Sequence, residues 1–156
     1  EHGHTHFTEL IHIALMVRRP GQTQGTAHGD RVRQTDIAPT VMAAAGLEVP
    51  RDLPGHALGS GGATMSIAEG SLWGGDLVSV RSDAGTLILD RTTNTWKRFA
   101  PGDRLEANDL CRGGPAPTGA MADLLRSLPL APTSDPAEWQ PSPEQLERLK
   151  SLGYVR

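Results

Sequence analysis

The stretch "LIHIALMVRR" at residues 10–19, which is followed by Pro20 and Gly21, constrains the fold more than any other part of the chain. The run is almost continuously apolar and contains β-branched residues, whereas a strand with one face in water would alternate apolar and polar residues. It therefore predicts a strand buried on both faces, as in a parallel sheet. A helix over residues 5–12 is the alternative, because Thr5 can cap it and Glu9 lies in an early turn.

The next segment, "RQTDIAPTVMAAAGLEVP", has residues that typically start and end a helix. Thr35 or Asp36 can act as the N-cap, Pro39 lies in the first turn and Gly46 ends the helix. A buried strand followed by a helix is typical of an α/β layer, so the first part of the chain predicts that class of fold.

The second half of the chain has a different character. It contains four short strand candidates separated by turn residues, and the turn Asp83-Ala84-Gly85 predicts a hairpin. A glycine- and proline-rich linker over residues 111–120 leads to two candidate helices, the second with Ser142 as its cap and Pro143 as its first residue. The strands are predicted at residues 64–68, 76–81, 86–90 and 95–99, and the helices at 119–128 and 143–152. This half predicts a small antiparallel sheet with C-terminal helices.

Charge and length exclude some classes of function. The 156 residues carry a net charge of −3, with both signs interspersed, which disfavours a nucleic-acid-binding surface. No apolar run reaches the length that spans a membrane. Cys111 is the only cysteine, so the chain cannot form an internal disulfide. Its context "CRGGP" is that of a linker.

Histidines concentrate at the start of the chain, "EHGHTHFTELIH". His2, His4 and His6 alternate, and on a strand all three would lie on one face, where three imidazoles could bind zinc. A polar loop with histidines by chance is the alternative. His12 lies in the apolar run and is expected to be a hydrogen-bonded core residue.

Four segments, in this order, resemble the sulfatase family of the alkaline-phosphatase-like superfamily. The first is similar to a family segment that begins Gly-His-Thr and ends Pro-Gly, although Ala14 replaces the usual proline. The second is similar to the family's Asp-Ile-x-Pro-Thr helix and the loop after it. The resemblance covers nearly the whole chain, in the segments "GHTHFTELIHIALMVRRPG", "QTDIAPTVMAAAGLEVPRDLPGHAL", "GDRLEANDL" and "PEQLERLKSLGYVR".

The resemblance implies an α/β fold in two parts. Residues 1–62 would be the C-terminal end of the α/β catalytic domain, an alkaline-phosphatase-like α/β sandwich. Residues 63–156 would be the small C-terminal antiparallel-sheet subdomain with its terminal helices. The acidic segment "GDRLEANDL" is expected to dock the small sheet to the main one.

The resemblance also implies a reaction, the hydrolysis of a sulfate monoester in a sulfated small molecule or glycan. In the family, a formylglycine made within a Cys/Ser-x-Pro-x-Arg motif is the nucleophile, and a divalent cation, usually Ca²⁺, polarises the sulfate. The nucleophile motif and the residues that bind the cation lie in the N-terminal portion of such enzymes and are not among the 156 residues. The chain by itself is therefore expected to be inactive, with the N-terminal part of its own protein as its partner.

His4 is the catalytic residue that the resemblance implies. It falls where members of the family place a histidine or lysine that contacts the ester sulfate, and a histidine can donate a hydrogen bond or a proton near neutral pH. His6 is a weaker candidate for substrate binding, on a position that is usually apolar, and no metal ligand is assigned. Two alternatives stay open: a phosphodiester or phosphonate hydrolase of the same superfamily, and a non-enzymatic histidine-rich metal-binding module.

Overall fold

The computed structural model describes residues 3–71, 75–129, 141–152 and 154. The described residues form a mixed α/β structure of four short helices and one four-stranded sheet. Within these ranges no helix is long and apolar enough to cross a membrane. The helices are α1 (Thr8–Ile11), α2 (Ile37–Ala44, after a 3₁₀ turn at Gln34–Asp36), α3 (Ala120–Ser127) and α4 (Pro143–Ser151), and the strands are β1 (Met65–Glu69), β2 (Leu77–Ser82), β3 (Gly85–Asp90) and β4 (Thr95–Phe99).

The sheet is an antiparallel meander in the order β1-β2-β3-β4. Each strand begins and ends within one residue of its predicted bounds. Ser82 pairs with Gly85 across a two-residue turn, which confirms the predicted hairpin. The antiparallel sheet and the C-terminal helices α3 and α4 were therefore predictable from turn residues and strand patterns.

One face of the sheet carries the main core. Strand residues with apolar side chains meet Ala122 and Leu125 of α3, both of which are fully buried. Helix α3 turns these residues toward the sheet because they lie three apart on one helical face. The strand residues of this core are Val78, Val80, Leu87, Leu89 and Trp96.

The opposite face of the sheet is more polar, and part of it is covered by the start of the chain. It carries Ser79 and Arg81 of β2 and Phe99 of β4, because side chains alternate along each strand. The ring of Phe7 packs against that of Phe99 with 5.8 Å between centroids. His6 is buried beside it. This contact positions the first residues of the chain over the sheet.

The predicted strand over residues 10–19 is absent. Residues 8–11 form the short helix α1, closer to the alternative interpretation, and residues 12–19 form neither helix nor strand. Ile13 and Met16 are 59% and 90% exposed. A strand exists only where a neighbour accepts its backbone hydrogen bonds, and among the described residues no strand pairs with this segment. The prediction of a doubly buried strand is thus wrong for this structure.

Gly85 is a sharp test of the hairpin. Its φ is +116°, and a Cβ atom there would lie 2.3 Å from the carbonyl oxygen of Phe99. Gly85→Ala is therefore expected to lower the free energy of unfolding by about 2 kcal/mol, through strain and steric overlap together. Gly113 also has a positive φ, +70°, but open space around it. Urea unfolding of both alanine variants separates the two causes, and equal losses would contradict the overlap at Gly85.

Candidate functional site

His4 lies on the segment before α1 and is exposed. It borders a depression of about 200 Å³ over the polar face of the sheet. The floor and walls of the depression come from three of the four strands, β2, β3 and β4, and from Thr5, the residue next to His4. The other lining residues are Leu77, Ile88, Asp90, Thr93, Thr95 and Lys97. An accessible imidazole at a concave surface is an arrangement that can contact a small molecule.

His6 is held differently, because both of its ring nitrogens have partners within the protein. Nε2 lies 2.6 Å from the carbonyl oxygen of Gly70, and Nδ1 lies 3.1 Å from the hydroxyl oxygen of Ser79. A carbonyl only accepts, so Nε2 carries the proton and Nδ1 of the neutral ring accepts from Ser79. With the residue 4% exposed, His6 offers no free nitrogen to a substrate in this structure. It anchors the segment that carries His4.

A buried ion pair anchors the same segment on its other side. Arg81 of β2 donates through Nη2 to Oε1 of Glu106 at 2.9 Å and to the carbonyl oxygen of His6 at 2.5 Å. Oε2 of Glu106 accepts from the backbone N–H of Thr8 at 2.7 Å. The side chains of Glu106 and Arg81 are 3% and 16% exposed. One carboxylate therefore joins the sheet to the first turn of α1.

Glu106 belongs to "GDRLEANDL", the segment predicted to dock the small sheet. In the structure Glu106 contacts Arg81 of β2 and Thr8, so this segment joins the described sheet to the start of the chain; its docking to a main sheet stays a prediction. Glu106 adopts a φ of +50°, which is uncommon for a residue with a side chain. The carboxylate of Asp103 accepts from the N–H groups of Ala107 and Asn108 and holds this turn. The hydrogen bonds from Asn108 and Ala107 hold the pKa of the Asp103 carboxyl below its ordinary value.

A second buried carboxylate, Asp36, joins the start of α2 to the loop after it. Its oxygens accept from the guanidinium and backbone N–H of Arg33 and from the backbone N–H of His56. Burial would raise the pKa of Asp36, but these hydrogen bonds outweigh it and the pKa is lowered. Thr40 Oγ1 likewise accepts from Leu58 N–H at 2.9 Å. Asp36 and Thr40 therefore hold a loop in place. Asp36 occupies the predicted N-cap position of α2, but its side chain makes no capping hydrogen bond to that helix.

The other described histidines and the cysteine do not add to the site. His12 is exposed, so its predicted place in the core is wrong. His28 and His56 are exposed as well, whereas His2 lies outside the described residues. Burial, then the nearby carboxylate of Asp109, raises the pKa of the Cys111 thiol, which is the opposite of what an activated cysteine needs.

The part of the chain that the structure describes does not supply a metal site. Within it, no group of three His, Cys, Asp or Glu residues lies close enough to hold an ion. His6, one of the three histidines of the predicted zinc alternative, already uses both nitrogens. The described residues therefore fit neither a Ca²⁺ ligand set nor a three-histidine zinc site.

The burial of His6 predicts a pH dependence of stability. Desolvation lowers its pKa below the ordinary value of 6.5, and the hydrogen bond to Gly70, which acts in the opposite direction, does not offset it; the charge of Arg81 lowers it further. The unfolded chain then binds a proton more readily than the folded chain. The stability that neutral His6 contributes is therefore fully present above pH 6.5. It is lost as the pH falls from there through the pKa of His6 in the folded state.

The measurement is urea unfolding at pH 7.5 and pH 5.5, about one unit on either side of the unperturbed histidine pKa. The parent chain is expected to lose more stability between the two values than His6→Gln, which cannot titrate. His12→Gln, altered at an exposed histidine, should behave like the parent. An identical loss in His6→Gln and the parent would contradict the assignment of the titration to His6.

No protein-family model matches the chain, and no curated protein is significantly similar to it.

Proposed function

We propose that the chain is the C-terminal part of a sulfatase-like hydrolase of the alkaline-phosphatase-like superfamily. Residues 1–62 would belong to the catalytic α/β domain and residues 63–156 to a small C-terminal subdomain. Four sequence segments in family order support this assignment. The contact of Glu106 with Arg81 and Thr8 supports it further, because it brings the third of those segments onto the first.

The observation that carries the proposal is the way His4 is presented. Its imidazole is exposed, while the backbone two and four residues later is fixed by buried partners. His6 is bound to Ser79 and Gly70, and Thr8 is bound to Glu106. A catalytic group needs this combination of an accessible side chain and a firmly supported position.

His4 would act at the leaving oxygen of the ester. As an N–H donor or a general acid it would stabilise the negative charge that develops there when the bond to sulfur breaks. The substrate would be a sulfated small molecule or glycan. In the family the formylglycine nucleophile and the residues that bind the divalent cation, usually Ca²⁺, lie in the N-terminal portion of the enzyme, so both would lie outside residues 1–156.

Exposed apolar surface in the first part of the chain also supports the proposal. Ile13, Met16 and Val17 are exposed on the irregular segment after α1, and Ile37 and Val41 are exposed one turn apart on α2. A segment that is apolar on both faces and a helix with an apolar stripe are the elements that an α/β layer buries. Further layers of a catalytic domain would cover both.

The test is the reading frame that encodes residues 1–156, together with the activity of its full product. We expect a Cys/Ser-x-Pro-x-Arg motif upstream, and faster hydrolysis of 4-nitrophenyl sulfate than of the corresponding phosphate diester or phosphonate ester. Replacing the motif's Cys or Ser with Ala should abolish turnover. A reading frame without the motif would overturn the proposal. Faster hydrolysis of the phosphorus esters would favour the alternative, a phosphodiester or phosphonate hydrolase of the same superfamily.

A further inference from the structure

Among the described residues, every half-buried lysine or arginine except one is paired with a carboxylate. Five Lys or Arg residues are half-buried, and four of them form an ion pair with a carboxylate. The pairs are Arg31–Asp83, Arg33–Asp36, Arg81–Glu106 and Arg91–Asp76. The fifth, Lys97, forms no ion pair with any of the described residues. Removing a cation from water without an opposite charge costs free energy, so this exception calls for an explanation.

Lys97 lies in the depression that His4 borders. It projects from β4 opposite Ile88, and its ammonium lies 5.8 Å from the centroid of the Phe7 ring. The ring attracts the cation weakly at this distance but leaves its charge in place. An anion that entered the depression would therefore meet a cation with no competing carboxylate bound to it.

Hydroxyl groups in the depression add donors beside this charge. Thr93 donates to Thr95 Oγ1 at 2.8 Å, which leaves the Thr95 proton free for another acceptor. Thr5 Oγ1 accepts from the N–H of Phe7 at 3.4 Å, so its proton is free as well. Both hydroxyls line the same depression as Lys97.

Among the described residues, Asp90 is the only carboxylate that lines the depression. It pairs with Thr95 across the strands, two residues along from the pair of Ile88 and Lys97 and therefore on the same face of the sheet. Its Oδ1 accepts from the N–H groups of Thr92 and Thr93. Asp90 would repel an anion placed against it but can accept from the hydroxyls of a ligand. The depression thus suits a molecule that is charged at one end and hydroxylated at the other.

We infer that Lys97 is a substrate-binding residue and that the alcohol portion of the substrate is an anionic polyol. Its second negative charge would lie at Lys97, and its hydroxyls would lie at Asp90, Thr5 and Thr95. This inference rests on the proposed function in one respect, which is that the alcohol released at His4 occupies the depression beside it.

The test uses the 156-residue chain and three probes followed by amide chemical shifts. D-Glucuronate is an anionic polyol, glucose is a neutral polyol, and acetate is an anion without hydroxyls. Glucuronate is expected to shift the amides of β3 and β4 around the depression and to bind at least about tenfold more tightly than either other probe, since a charged hydrogen bond and the hydroxyl contacts act together. Lys97→Gln should lose that advantage, and Lys97→Arg should regain most of it.

Arg98→Gln is the matched control, since Arg98 is the next residue of β4, is exposed and does not line the depression. It should bind glucuronate as the parent does. The inference is overturned if glucuronate shifts no amides of the depression, if glucose or acetate binds equally well, or if Lys97→Gln binds like the parent. These outcomes are independent of sulfatase turnover, so a full-length product without sulfatase activity would overturn the proposed function and leave binding at Lys97 to be judged by the shifts.

Discussion

Glu106→Ala is expected to lower the free energy of unfolding by about 3–5 kcal/mol, the usual cost of removing one partner of a buried ion pair. Two losses combine in this variant. The guanidinium of Arg81 stays buried without its counter-charge, and the N–H of Thr8 loses its acceptor. The measurement is urea unfolding followed by circular dichroism. The change in the urea midpoint is converted to a change in the free energy of unfolding with the same m-value for both chains.

A matched control is available on α4. Glu147 pairs with Lys150 at 3.2 Å, but their side chains are 74% and 45% exposed. Glu147→Ala should therefore change stability little, because exposed pairs contribute little. In a second variant, Arg81→Met added to Glu106→Ala should restore part of the loss by removing the unpaired charge. The interpretation fails if Glu106→Ala and Glu147→Ala destabilise the chain equally.

The sheet and the C-terminal helices could be predicted because their signals are local. The turn at Asp83 and Ala84 lies between two apolar strands. Ser142 caps α4 as predicted, and it does so in a capping box with Gln145. Such signals need only a few neighbouring residues to act. The bounds of all four strands followed from them to within one residue.

The anchoring network could not be predicted in the same way. Along β2, apolar Val78 and Val80 alternate with polar Ser79 and Arg81, a pattern that normally places the polar residues in water. Here the start of the chain covers that face, and His6 meets Ser79 from 73 positions away. The one signal in the sequence was Arg81, a charged residue inside a strand, which pairs with the buried Glu106.

The apolar run failed as a strand predictor for a related reason. A pattern of apolar residues states that a segment needs to be buried, but the segment becomes a strand only when a sheet lies beside it. Ile13 and Met16 have no such neighbour among the described residues and remain exposed. Val41 of α2 is exposed as well. That helix forms nevertheless, because the residues that start and end it act locally.

His4→Ala, in the full-length hydrolase that we propose, is expected to lower kcat roughly a hundredfold or more while changing KM little. The interaction it removes strengthens only as the leaving oxygen gains charge, and losing one such donor or acid typically has an effect of that size. His12→Ala is the control for a nearby histidine that is exposed and lies outside the depression. It should leave kcat unchanged.

His6→Ala separates support from chemistry in the same experiment. It removes the contacts to Ser79 and Gly70 and should lower both stability and kcat, because the segment that carries His4 loses one anchor. His4→Ala should lower kcat at unchanged stability, since the His4 side chain is exposed. Equal losses of stability in the two variants would contradict this division of roles.

The nature of the leaving group gives the most specific test of His4. An alkyl alcohol is a poor leaving group and depends on a proton or a hydrogen bond, whereas nitrophenol leaves readily without either. The loss caused by His4→Ala should therefore be large on an alkyl sulfate and much smaller on 4-nitrophenyl sulfate. Equal losses on both substrates would remove the leaving-group role from His4, and no loss on either would place His4 outside the reaction altogether.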